Sequence, residues 1–119
     1  MSMDWDHRTV EVELKAGGGG PAVVFANTDT NYSIVLLGVS ASVAQWDGSI
    51  AFNDTAGVPV RTAGPLVISA EHPTEDFFPF GFATTRGTGL TLTYAGAGAG
   101  RAYVRVCKGV RPNDRVAMP

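Results

Sequence analysis

Two short acidic stretches contain both histidines of the sequence: Asp4, Asp6 and His7 in "DWDH", and Glu71, His72, Glu75 and Asp76 in "EHPTED". Carboxylates and imidazoles are the side chains that hard cations and zinc take, but zinc asks for a full tetrahedral set and calcium for a shell of oxygens. Neither stretch has a metal-ligand spacing, so no metal site is assigned and both read as solvated loops. The other reactive groups are poorly placed for catalysis. "GVSAS" (38–42) ends in Ser42, whereas a nucleophile elbow needs Gly-x-Ser-x-Gly at a strand–helix turn. Cys107, the one cysteine, lies in an alternating segment and reads as a small core residue with no partner for an intrachain disulfide. "GGGGP" (17–21) lacks the Gly-Lys-Ser/Thr of a phosphate loop, and "GAGAGR" (96–101) does not complete a dinucleotide fingerprint. The expectation is a protein that is not an enzyme and carries no cofactor.

A different kind of chemistry, contact, is suggested by "EDFFPFGFATTRGTGLTLTY" (75–94), which holds four of the six phenylalanines. Phe78, Phe80 and Phe82 recur at period two and Phe77 points across. Phe80 and Phe82 are expected in the core, since a small sandwich needs bulky side chains where its sheets meet. Gly81 between them lets the backbone bend or approach closely. Phe77 and Phe78, beside Pro79 and an acidic turn, are expected at the rim, where aromatic residues anchor protein contacts. Trp5 is a second anchor candidate in an extended N-terminal arm, and Trp46 a third, in a turn.

Strands must position these groups, because period two recurs along the chain and helical periodicity does not. "TVEVELK" (9–15) sets Val10, Val12 and Leu14 against Thr9, Glu11, Glu13 and Lys15, as a strand with one dry side does. "AVVFAN" is a second strand, followed by the turn-rich "NTDTN". In "SIVLLGVSASVA" (33–44), Leu37, Val39, Ala41 and Val43 share a face, Ser40 and Ser42 face away, and Ile34–Leu37 is apolar on both sides, as in a central strand. "WDGSIAFND" reads as a turn at Asp47-Gly48 and then a strand through Ile50 and Phe52. "VPVRT" and "PLVISA" are short strands, the first put at an edge by Pro59. "LTLTYA" and "RAYVRVCKG" alternate again. The fold class is therefore all-β, an antiparallel β-sandwich or jelly roll of about eight strands. At 119 residues it is one domain, 9–108, with an arm at 1–8 and a tail at 109–119.

Charge is unevenly distributed. Residues 101–119 carry five basic side chains against Asp114, a net of +4, and residues 1–100 carry four basic against ten acidic, a net of −6. Opposite-sign regions can attract one another between copies of a chain or draw in a partner, which singles out Arg111 and Arg115 of the tail. The overall charge of −2 gives no sign of a nucleic-acid binder, and no apolar run reaches the length that spans a bilayer. The N-terminus opens with acids and lacks the order of a signal peptide, so action is expected where the chain is made or on a particle assembled there. Asn31-Tyr32-Ser33 and Asn53-Asp54-Thr55 fit the glycosylation sequon and are read as chance matches.

The order of these features resembles a group of small β-sandwich proteins from tailed-phage genomes. The resemblance rests on Gly64-Pro65-Leu66, on the turn Gly81-Phe82-Ala83-Thr84-Thr85, and on Gly89-Leu90-Thr91-Leu92, and spans about residues 33–108. The chain departs from the pattern at "EHPTED", where those proteins are glycine-rich. The resemblance implies a virion component, foremost a capsid decoration (cement) protein and secondly a piece of fibre or tail. It also implies a homotrimer on the major capsid protein, with no cofactor. A carbohydrate- or receptor-binding sandwich is the rival, with Tyr32, Trp46, Phe77 or Phe78 as stacking rings.

Overall fold

The computed structural model describes residues 7–43, 47–60, 66–69, 74–77, 81–95 and 99–109. Within them nine strands follow one another, with no helix among the described residues: β1 (Arg8–Leu14), β2 (Gly19–Phe25), β3 (Ser33–Val43), β4 (Asp47–Asp54), β5 (Leu66–Ser69), β6 (Thr74–Asp76), β7 (Phe82–Ala83), β8 (Leu90–Ala95) and β9 (Gly100–Gly109). One sheet has the order β1-β9-β3-β6, with β7 also on β3, and the other has the order β2-β8-β4-β5. Every pairing is antiparallel. The order has a simple logic. β4 pairs with β5, β3 with β6, β2 with β8 and β1 with β9, so the chain is a long hairpin rolled until successive pairs fall in alternate sheets. That is the jelly roll expected from the strand pattern.

Alternation builds the core. Val12 and Leu14 of β1 are buried while Glu11 and Glu13 are exposed; on β9 Ala102 stands opposite Val12, with the buried Val104 and Val106 further along the same face. From the other sheet come Val24, Ile50, Phe52, Leu90, Leu92 and Tyr94. Tyr94 keeps its polar tip in use, its Oη accepting the Lys15 backbone N–H at 3.1 Å.

The long strand β3 changes face midway. Ile34 and Leu36 lie in the core, and so do Val39 and Ala41, which a regular strand would turn the other way. A register shift between Leu36 and Gly38, opposite Val106 and Arg105 of β9, accounts for this. One extra residue there reverses the facing of everything beyond it. Leu37 is therefore not on the Val39 face, as the alternation predicts, but half-buried on the outside. Val35 is fully buried although Ile34 and Leu36 occupy the core side. A Cβ on Gly81 would stand 3.0 Å from Val35 Cγ1 and collide with the Leu36 carbonyl oxygen, and the φ of +77° at Gly81 is itself a glycine conformation.

Several local expectations are corrected. Asp47 and Gly48 belong to β4, paired with Ser69 and Ile68, rather than to a turn. Val58–Val60 forms no strand; Pro59 makes a single bridge to Asn53. The acidic turn contains β6, three residues paired with Gly38, Val39 and Ser40.

One end of the sandwich is tied by side chains. Asn27 Nδ2 donates to the carbonyls of Tyr32 at 3.1 Å and Thr88 at 3.2 Å. Thr84 Oγ1 accepts from the Ile34 N–H at 3.0 Å and donates to the Thr88 carbonyl at 3.1 Å. The buried Asp54 carboxylate accepts from the N–H groups of Val58 at 2.8 Å and Ala56 at 3.0 Å with one oxygen, and from Thr85 N–H at 3.4 Å with the other. It thereby joins the turn after β4 to the loop before β8.

Candidate functional site

The two outer faces of the sandwich differ in chemistry. On the β1-β9-β3-β6 sheet, the residues pointing away from the core form rows across the strands. Glu13 stands opposite Arg101 and then Ser42, Glu11 opposite Tyr103 and then Ser40 and Thr74, and Thr9 opposite Arg105 and then Gly38 and Asp76. The charges pair within the face: Arg101 with Glu11, and Arg105 with Asp76, both largely exposed. Gly38 makes room for the second pair, because a Cβ there would crowd the Arg105 guanidinium and stand 2.9 Å from an Asp76 carboxylate oxygen. Exposed pairs of this kind add little stability, about 0.2–1 kcal/mol each, and serve mainly to set the electrostatic pattern.

The β2-β8-β4-β5 sheet is the opposite case. β2, β5 and β8 contain no Asp, Glu, Lys, Arg or His, and β4 has only Asp47 and Asp54 at its two ends. Asp54 is buried. Across this face Val23 stands opposite Thr91 and Asn53, with Thr93 beside Ala51. Val23 is 61% exposed, and Val58, in the turn after β4, is 51% exposed. Apart from Asp47 at the start of β4, this surface is built of small uncharged residues that are inexpensive to desolvate, so it suits contact with another protein surface.

Two concavities accompany these faces. A hollow of about 630 Å³ on the charged sheet is lined by His7, Arg8, Thr9, Leu37, Asp76, Phe77 and Arg105. It brings together His7 and Asp76, one member from each of the two acidic stretches noted in the sequence. Among the described residues, no three His, Cys, Asp or Glu side chains are grouped to hold a metal ion; Asp4, Asp6, Glu71 and His72 lie outside the described residues. A groove of about 500 Å³ runs between β1 and β2, along Glu11, Val12, Glu13 and Lys15 on one side and Gly19–Val23 on the other, with Tyr94 within it.

The aromatic candidates are distributed differently from expectation. Phe77 is corrected from rim to core: it is 7% exposed, and its N–H donates to the Leu37 carbonyl at 2.9 Å, continuing the β6–β3 pairing. It meets Phe82 edge to face, with centroids 5.4 Å apart, and Phe82 is half-buried against the same cluster. The Tyr32 ring carries Lys108 Nζ 4.3 Å from its centroid, a cation–π contact that occupies one of its two faces. Trp5, Trp46, Phe78, Phe80, Arg111 and Arg115 lie outside the described residues. Sequence reasoning missed Asp54 and the uncharged sheet. The second was legible as a run of charge-free strand segments once those strands are known to be neighbours.

No family model matches the chain, and no curated protein sequence matches it. Among solved structures, it is similar to a chain from work on Bacillus endospore appendages, described as "a novel family of disulfide-linked pili". Identity is 14% and the TM-score 0.51, over 89% of this chain and 86% of the other. The nucleoplasmin-like N-terminal domain of Drosophila FKBP39 is aligned at 10% identity and TM-score 0.48, covering 85% and 88% of the two chains. The appendage likeness shows the sandwich fold.

Proposed function

We propose that the chain is a non-enzymatic structural subunit, and specifically a decoration (cement) protein of a tailed-phage head that acts by touching copies of itself and the major capsid protein. The observation that carries this reading is the contrast between the two outer faces. One sheet is charged and internally paired, suited to solvent, and the other has charged residues only at the two ends of β4, which suits it to lying on a shell. The sequence order of the Gly64-Pro65-Leu66 strand motif and the Gly81-Phe82-Ala83-Thr84-Thr85 turn motif, with its resemblance to small phage sandwich proteins, supports the phage assignment. The pilus-forming appendage with a similar sandwich shows that such a fold can serve as an assembly unit. A homotrimer is the expected state, and the virion the expected location.

The test is reconstitution. Purified protein added to heads that lack it is expected to bind and to raise their resistance to heat and dilution; bound shells that gain no resistance would remove the cement role. A surface variant locates the contact. Ala51→Lys places a charge on the uncharged sheet at a position paired with Thr93, and its own effect on folding is expected within about 0.5 kcal/mol, as for surface substitutions generally. Shell binding is expected to weaken at least about tenfold, the consequence of burying an unpaired charge. Unchanged binding would move the contact to another face.

A further inference from the structure

We propose that the groove between β1 and β2 accepts the basic segment 110–119 of a second copy, added as a strand along the free edge of β1. This rests on the self-association in the proposed function and says which surface and which segment make it.

Among the described residues the two strands bordering the groove are each the edge of their sheet: β1 pairs with β9 alone, and β2 with β8 alone. Edge strands left regular are templates for further pairing, and proteins blunt them with proline, bulges or charge. β2 is blunted, since it contains Pro21 and two register shifts against β8. β1 is not. It has neither proline nor glycine, and all seven of its residues pair in unbroken register with β9. Its exposed side carries Glu11 and Glu13, and the groove beside it offers Val12, Ala22 and the exposed Val23 as apolar contacts.

A second β1 would bring these glutamates against their own copies, so self-pairing of β1 is disfavoured electrostatically. The complementary strand must be basic, and the sequence after β9 is "VRPNDRVAMP". In an extended segment Arg111, Asn113 and Arg115 would fall on one side, matching the acidic side of β1, with Val110, Pro112, Asp114 and Val116 on the other. Pro112 lacks an N–H and is admissible in a strand bonded along one edge only. Lys15 borders one end of the groove, beyond the two glutamates. A neighbour is favoured over the chain's own tail by geometry. β9 is antiparallel to β1, so the chain's own tail would have to loop past Arg8 and then pair parallel, the less stable arrangement, whereas a neighbour's tail can enter antiparallel.

Charge exchange between two full-length variants tests this. Glu11→Lys with Glu13→Lys reverses the groove, and Arg111→Glu with Arg115→Glu reverses the tail. A milder pair, Glu13→Lys and Arg111→Glu, spares the Glu11–Arg101 contact. Circular dichroism verifies that each variant keeps its strands. In sedimentation over a concentration series, each variant alone is expected to associate about tenfold more weakly than wild type, the size of two exposed ion pairs. An equimolar mixture is expected to recover most of the lost association, because in a mixed trimer two of the three grooves meet a tail of opposite sign. Swaps that leave association unchanged overturn the tail–groove contact while self-association stands. Weakening that mixing fails to repair means the tail serves its own chain and also overturns the proposal. A wild-type chain that stays monomeric overturns both this contact and the self-association beneath it.

Discussion

Phe52→Ala is expected to destabilise the chain by about 3–5 kcal/mol, the largest effect of any single substitution proposed for it. Phe52 is fully buried near the middle of β4, with Leu92 of β8 as its register partner, and it is among the largest side chains without solvent contact. Its neighbours belong to both sheets, so truncation leaves a void at the sandwich interface that neither sheet can close without breaking its ladder. A small domain has only about 5–15 kcal/mol in total, and a loss of this size consumes a large part of it. Urea unfolding with an unchanged slope and a lowered midpoint would verify the cavity account. A loss under about 1 kcal/mol would mean the sheets slide together and the interface is far more plastic than its packing indicates.

Asp54→Asn is expected to cost about 1.5–3 kcal/mol near neutral pH, in the range of hydrogen bonds to a charged group. The larger consequence is in pH dependence. Burial pushes the Asp54 carboxyl up, but the Thr85 hydroxyl and the backbone N–H groups of Val58, Thr85 and Ala56 together outweigh it. The result is a carboxyl held below the ordinary aspartate value of 3.8. A carboxylate whose folded pKa is depressed contributes stability that is fully present above its unfolded pKa. That stability is lost as pH falls through the folded value. Wild type should therefore weaken below about pH 4 as this latch protonates, and the asparagine variant should lack that part of the acid transition. The amide keeps one acceptor for the Val58 and Ala56 donors but turns N–H groups towards Thr85 N–H, so the loop before β8 should loosen first. Hydrogen exchange at Thr85 and Gly87 in the two proteins distinguishes the cases, and parallel acid transitions would exclude Asp54 as the latch.

The strand pattern was legible where alternation is uninterrupted. β1, β8 and β9 read directly from their sequences, because one face of each meets the core and nothing shifts their register. β3 was legible only in part. Its second half has the right face, but alternation alone groups Leu37 with Val39, because the extra residue before Gly38 is a tertiary feature. The reason glycine stands at 38, room for Arg105 and Asp76, becomes visible only when three strands are side by side. β6 was hidden because Thr74-Glu75-Asp76 has a turn composition; its pairing with β3 comes from context rather than propensity. The same context reverses Phe77, whose backbone extends that pairing and carries the ring into the core. Asp54 left a signal in "NDTAG", an Asx-type turn whose carboxylate folds back on the amides of Ala56 and Val58. Its third donor, Thr85, lies thirty-one residues away along the chain. The charge-free sheet was equally implicit, since no segment of it is unusual alone and the property belongs to four strands brought together from distant positions.

The placement of β9 sets the order in which the molecule can be built. It lies between β1 and β3, so the larger sheet cannot close until residues 100–109 have emerged from the ribosome. Until then β1 has no pairing partner among the described strands, and Val12, Leu14 and the core side of β3 are not fully covered. Pairing the first strand with the last also makes for a high contact order, a topology that folds in milliseconds to seconds rather than microseconds. A nascent chain halted before Gly100 should therefore be protease-sensitive and sticky, a substrate for chaperones, and should acquire protection only when the final strand is released.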